Sequence, residues 1–264
     1  MATSALDGLD FGTLSMLDVL GSRIELFTAG DGPPLLFLHG LDGIEGAAPL
    51  LRELARDFTV HAPSHPGFGA SDLPKNMNRV DDLGYFYLDL LDTLGLRQPA
   101  IIGSSFGGWV AAEILTKAPD RASSLVLLSP LGLRTADRRT QHVADIFMLS
   151  RQELNARLGR EEPVLASLDE ERLRREMRND EALSLYGWTP YMHNPKLADR
   201  LHRIACPTLI AWGEEDAIVE PAYRERFAAA LPAADIALIE DGGHRLHADR
   251  PQALAARIVA FVRR

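Results

Sequence analysis

The residue with the clearest chemical potential is Ser105, at the centre of Gly103-Ser104-Ser105-Phe106-Gly107-Gly108. The run Pro99-Ala100-Ile101-Ile102 before it reads as a buried strand, and Trp109 to Leu115 after it reads as a helix. The pattern is G-x-S-x-G, which lets a strand turn sharply into a helix and presents the central side chain at the apex of a strained turn. A Cβ at Gly103 or Gly107 would collide across such a turn. A serine there stands at a helix N-terminus, where free N–H groups favour negative charge. The chemistry this suggests is nucleophilic attack by the Ser105 hydroxyl, with Ser104 as its unselected neighbour.

A serine hydroxyl needs a base, and the base needs a group that orients it. The eight histidines sort by position. His39, His61 and His65 lie at or just after early strands, and His142, His193 and His202 lie in or beside a later charged region. His244 follows Glu240-Asp241-Gly242-Gly243, just past the last apolar run. Its two glycines form a loop able to bring an imidazole over the carboxyl ends of the strands. His247, three residues on, is the competitor. For the orienting acid, Trp212 is followed by Gly213-Glu214-Glu215-Asp216-Ala217-Ile218-Val219, which offers three carboxylates. Asp216 is the best placed, beyond the turn. The strand ending at Ser129 has no acid at its tip.

These residues need a scaffold, and the apolar pattern supplies one. Leu14 to Leu20 and Arg23 to Thr28 flank Gly21-Ser22 and predict an antiparallel hairpin after a loosely ordered lead-in, Met1 to Gly12. Leu35 to Leu38, Phe58 to His61, Leu125 to Leu128, Pro207 to Trp212 and Asp235 to Ile239 predict further strands, several apolar throughout, as expected where both faces are covered. Helices are predicted at Ala47 to Arg56, Val80 to Leu94, Ala222 to Ala230 and Ala253 to Val262. The alternation implies an α/β fold with a mostly parallel sheet covered by helices on both faces. Residues 1–133 and 204–264 form the expected core. Residues 134–203 carry no convincing strand and read as a helical insertion above the carboxyl ends of the strands, where such sheets bind ligands.

Composition limits the function classes. A chain of 264 residues, 46% of them hydrophobic, can bury one large core. A net charge of −9 weighs against nucleic acid or an anionic membrane as partner. The one cysteine, Cys206, permits no intrachain disulfide and sits among Ile204, Ala205 and Pro207, as a buried structural thiol would. No metal or cofactor is expected. With no basic-then-apolar leader and no run of membrane-spanning length, the expected place of action is the cytoplasm.

In the order His39-Gly40, His65-Pro66-Gly67-Phe68-Gly69-Ala70-Ser71, the Ser105 turn, Gly213 to Asp216 and Gly243-His244, the chain resembles the α/β-hydrolase fold enzymes. The order Ser105, Asp216, His244 is that of their triad. The resemblance implies that residues 134–203 are a cap, and that the backbone N–H groups of Leu41 and Phe106 form an oxyanion hole. It gives His39 a turn-stabilising role. Serine at the apex, where dehalogenase and epoxide hydrolase relatives carry aspartate, favours hydrolysis of an ester, thioester, lactone or amide. Carbon–carbon hydrolases of ring-fission diketones are the alternative, although many carry tryptophan where this chain has Arg245. A ligand-binding protein of weak turnover on the same fold is the rival from another class. The expected partner is a small-molecule substrate, and oligomeric state is left open. Trp188 and Tyr191, with Phe147, Met148 and Met192, are the expected pocket walls. Arg172, Arg174, Arg175 and Arg178 could receive a carboxylate, but their alternation with glutamates suggests a solvated helix face.

Overall fold

The computed structural model describes residues 7–134, 142–160 and 170–264. Residues 1–6 of the expected lead-in, and 135–141 and 161–169 of the expected insertion, lie outside the described residues. Ten strands are described: β1 (Thr13–Val19), β2 (Ser22–Ala29), β3 (Pro34–Leu38), β4 (Thr59–Pro63), β5 (Ala100–Ser104), β6 (Ser124–Leu128), β7 (Gly132–Leu133), β8 (His193–Asn194), β9 (Thr208–Gly213) and β10 (Asp235–Ile239). Eight of them make one sheet in the order β1-β2-β4-β3-β5-β6-β9-β10. β1 pairs antiparallel with β2, and β2 antiparallel with β4. Every pairing from β4 through β10 is parallel.

The apolar runs become the central strands because both faces of the sheet are covered. Every residue of β5, β6 and β9 is buried. One face packs on helices Val80–Thr93, Phe106–Lys117 and Pro221–Ala230. The other packs on Ala48–Leu54 and Pro251–Val262. Because β3, β5, β6 and β9 run parallel, their carboxyl ends share one edge. The loops after Leu38, Ser104, Leu128 and Gly213 therefore meet there.

Four expectations need correction. Residues 134–203 are not free of strand: His193–Asn194 pairs parallel with Gly132–Leu133, and Val143 bridges Val219. These contacts tie the segment to the loops at its base. Nor is the start wholly loose, since Asp7–Leu9 forms a helical turn and Arg52 pairs with Asp10 at 2.5 Å. Cys206 is half-buried, two residues before β9, and burial pushes its thiol up.

The fourth correction concerns the arginines. Helix Glu170–Gly187 buries Arg175, Asn179, Ala182, Leu183 and Tyr186, a stripe three to four residues apart. Arg174 is solvated and pairs with Glu170, as the expected helix face would. Arg175 is 7% exposed and forks onto both carboxylate oxygens of Glu25, each at 2.7 Å, while also pairing with Glu45. From the same helix Asn179 accepts the Gly69 N–H at 2.9 Å, and Arg178 donates to the Ser71 carbonyl at 2.6 Å. Tyr186 donates to the Pro66 carbonyl at 3.2 Å. The helix is thus fastened to the loop His65–Ser71 and to β2, over the edge where the strand ends meet.

Candidate active site

Ser105 leaves β5 with φ 52° and ψ −111°, and the helix Phe106–Lys117 starts at the next residue. A non-glycine residue in that region costs about 1–3 kcal/mol and persists only where its surroundings hold it. Here they do. The Ser105 N–H donates to Leu128 at 2.8 Å, and its carbonyl accepts from Gly108 and Leu131 at 3.0 and 3.1 Å. The flanking glycines are needed for close approach. A Cβ on Gly103 would lie 2.7 Å from the Gly108 Cα, and one on Gly107 would lie 2.6 Å from the His39 carbonyl oxygen.

The loop after β10 brings His244 to this apex, with Nε2 2.8 Å from Ser105 Oγ. Its Nδ1 is 2.9 Å from Asp216 Oδ2. The other oxygen of Asp216 accepts the N–H groups of Ile218 and Val219, both at 2.9 Å. Asp216 accepts at Oδ2, so Nδ1 carries the imidazole proton and Nε2 is left to accept the Ser105 hydroxyl. Burial works to raise the Asp216 carboxyl, but the charge and hydrogen bond of His244, with the two amides, hold it below the usual carboxylate range. The Asp216 side chain is 1% exposed, whereas Glu214 and Glu215 both face solvent. The expected trio therefore meets in one hydrogen-bonded line, and the two neighbouring glutamates stand outside it.

The competing histidines are occupied elsewhere. His247 is buried against Ser104, with Nδ1 3.1 Å from its Oγ. His39 and His65 form a pair beneath the site. His39 Nε2 accepts the His65 N–H at 2.9 Å, so its Nδ1–H donates to the Gly40 carbonyl at 2.7 Å. His65 Nε2 donates to the His39 carbonyl at 2.9 Å, and its Nδ1 accepts the Tyr87 hydroxyl at 2.5 Å. These bonds fix the turn that carries Gly40 and Leu41.

Burial pushes His39 down to about 4 and His247 to about 3. An unfolded histidine titrates near ~6.5. Below that pH the unfolded chain takes up protons that these buried rings refuse. Stability is therefore full above about pH 6.5 and falls as the pH drops, with the loss from His39 levelling off only below about 4. His39 alone withdraws about 3 kcal/mol across that window. Thermal melts between about pH 7.5 and 4.5 should show a steadily falling midpoint, and a flat midpoint would refute this account.

Leu41 and Phe106 both line the pocket that contains Ser105 and His244. Phe106 opens a helix, so its N–H is among the donors that a helix leaves without an internal partner. Most of the remaining wall is aliphatic, formed by Leu131, Val143, Ile146, Leu154, Leu158, Leu183, Met192 and Ile218. Of the expected wall residues, Met192 is among them, but Trp188 and Tyr191 are not. Trp188 is 55% exposed and packs on Phe147 at 5.4 Å. Tyr191 donates its hydroxyl to the Ala144 carbonyl at 2.6 Å and accepts the Ile146 N–H at 2.9 Å, bracing the backbone behind the wall. Phe147 lines a wider cavity that adjoins the first, and Met148 is exposed. Leu154 and Leu183 were detectable as apolar positions in otherwise charged helices. Asp42 and Arg245, which also line the pocket, carried no such signal.

A model of the alpha/beta hydrolase family matches residues 35–257, which include every strand from β4 to β10 and all three members of the Ser105 line. The chain belongs to that family. It is 30% identical over 247 residues to the dihydrolipoyllysine-residue acetyltransferase component of the acetoin cleaving system of Cupriavidus necator, covering 86% of this chain and 63% of that protein's length. Among solved structures it is similar to carboxylesterase CesB of Bacillus subtilis, with TM-score 0.76, 21% identity, and 98% and 94% of the two chains covered. It is also similar to the meta-cleavage product hydrolase CumD, with TM-score 0.77, 20% identity, and coverage of 94% and 97%. Identities this low make these two likenesses ones of fold. No helix among the described residues is long and apolar enough to cross a membrane.

Proposed function

We propose that the protein is a cytoplasmic serine hydrolase of a small, largely apolar acyl substrate, namely a carboxylic ester, thioester or lactone. The observation that carries this reading is the line Asp216–His244–Ser105, with bonds of 2.9 and 2.8 Å, opening into an aliphatic pocket. In the first half-reaction Ser105 Oγ bonds to the acyl carbon as its proton passes to His244 Nε2. The carbonyl π electrons move onto oxygen, which the Leu41 and Phe106 N–H groups receive. One such donor is typically worth ~3–4 kcal/mol. The electron pair returns, the bond to the leaving group breaks, and that group takes the proton from His244. Water then repeats the sequence, and the ester to Ser105 is hydrolysed. Asp216 remains ionised and stabilises the imidazolium formed in each half-reaction. Residues 134–203 act as a cap that shapes the acyl pocket over residues 1–133 and 204–264.

The second reading, a carbon–carbon hydrolase of ring-fission diketones, draws on the likeness to CumD. The decisive assay offers purified protein p-nitrophenyl butyrate and a ring-fission diketone side by side. We expect release of p-nitrophenol that stops when a serine-reactive phosphonate adds to Ser105, located by peptide mass spectrometry. Turnover of the diketone alone would move the assignment to the second reading. A folded protein that neither turns over nor takes the label would be a binding protein on this fold.

A further inference from the structure

The wall of the Ser105 pocket is aliphatic except at one corner, where Asp42, Arg245 and His247 meet. Arg245 is the residue after His244, and its Nε pairs with Asp42 Oδ2. A second guanidinium, Arg160, pairs with Asp42 Oδ1 from the other side. Arg160 and Arg245 are close enough for their charges to oppose one another. The Asp42 side chain is 7% exposed, and those of Arg160 and Arg245 are 26% and 17% exposed. Two guanidiniums thus share one carboxylate. His247, with Nε2 3.5 Å from Asp42 Oδ2, is buried and neutral and adds no charge. The corner holds one positive charge more than it neutralises.

Neighbouring acids offset part of that surplus from a distance, Glu176 and Asp180 attracting Arg160 and Asp249 attracting Arg245, but among the described residues none of the three forms an ion pair with either guanidinium. Glu176 pairs with Arg151 at 3.1 Å and Arg172 at 3.4 Å, and Asp180 faces Arg151 at 3.7 Å. Asp249 accepts the Gly243 N–H at 3.0 Å. The contrast within the same fold is Arg175, which has two carboxylates, Glu25 and Glu45, to itself. A guanidinium carries five N–H donors, so neither Arg160 nor Arg245 is saturated by half of a carboxylate. Among the described residues that line the inner pocket, Arg245 is the only one with a permanent positive charge. Aliphatic surroundings lower the local dielectric and strengthen its pull on an anion.

We propose that Arg245 and Arg160 form an anion subsite at the mouth of the pocket, which takes a carboxylate carried by the substrate away from its scissile acyl group. The proposal rests on the hydrolase reading and narrows it. The preferred substrates are acidic half-esters, or other acyl compounds bearing a free carboxylate, held with the apolar portion among the leucines and the anion on the guanidinium fork. Arginine suits this task because its planar fork matches a carboxylate, giving short charge-assisted bonds.

The test separates binding from turnover. Ser105→Ala protein is titrated calorimetrically with monomethyl adipate, a monoanion, and with dimethyl adipate, its neutral counterpart. We expect the monoanion to bind at least about tenfold tighter at low salt, with the preference shrinking as sodium chloride screens the charge. Adding Arg245→Gln should abolish the preference, and Arg245→Lys should retain part of it. Equal binding of the two adipates to the Ser105→Ala protein would overturn the subsite, as would a folded Arg245→Gln form that keeps the preference. The first comparison stands even if the glutamine variant fails to fold. Release of p-nitrophenol from p-nitrophenyl butyrate by the unmodified protein is measured in parallel. Its absence, with the adipate preference present, would sink the hydrolase reading and leave the subsite intact.

Discussion

Ser105→Ala is expected to lower kcat on an activated ester by roughly a million-fold, with the thermal midpoint nearly unchanged. The size follows from what the hydroxyl does. Without Oγ no acyl-enzyme forms, and His244 can at best direct a water molecule that has no fixed position. The backbone N–H groups of Leu41 and Phe106 and the pocket remain, so a residual rate above the uncatalysed one should persist. Stability should hold because the strained backbone at φ 52° is fixed by main-chain bonds to Leu128, Leu131 and Gly108, none of which uses the side chain. Ser104→Ala provides the contrast. Ser104 is 1% exposed and its hydroxyl faces His247, not His244, so its loss should cost far less activity. A folded Ser105→Ala protein that kept a tenth or more of its rate would remove Ser105 as nucleophile.

How much of this arrangement could be read from the residues differs between core and insertion. Strands buried on both faces announce themselves as unbroken apolar runs, and parallel pairing puts their following loops on one edge. That is why Ser105, Asp216 and His244 could be expected to meet from positions 139 and 28 residues apart. The segment after β6 obeys a weaker rule. Its long helix, Glu170–Gly187, buries Arg175 and Asn179 within its inward stripe, so the apolar period is broken where the helix docks. Arg175 is buried by Glu25 and Glu45, 150 and 130 residues away, and no local pattern announces such partners. Trp188 and Tyr191 misled for a related reason. Aromatic residues signal buried surface or a ligand equally well, and here one packs on Phe147 while the other props the backbone of Ala144 and Ile146. The pocket wall falls instead to smaller side chains such as Ile146, Leu154 and Leu183.

Asp216→Asn should be nearly as damaging as loss of the serine, lowering kcat about ten-thousand-fold, and for a reason set by two backbone amides. Ile218 and Val219 both point their N–H groups at Oδ1, 2.9 Å away. An asparagine must keep its one carbonyl oxygen there, since its NH2 group has nothing to offer two donors. The NH2 is then turned toward His244 Nδ1, where a carboxylate oxygen stood at 2.9 Å. Nδ1 becomes the acceptor, and the ring proton moves to Nε2, which faces Ser105 Oγ at 2.8 Å. The imidazole now presents a proton where a base is needed, although no atom has moved far. The change should leave the thermal midpoint close to its original value, while the rate at which a phosphonate labels Ser105 falls in parallel with kcat. Glu214→Gln and Glu215→Gln alter side chains that face solvent and should leave the rate within a few-fold. If Glu215→Gln were the damaging change and Asp216→Asn the mild one, the orienting carboxylate would be Glu215, and the hydrogen-bonded line drawn through Asp216 would not be the one that works.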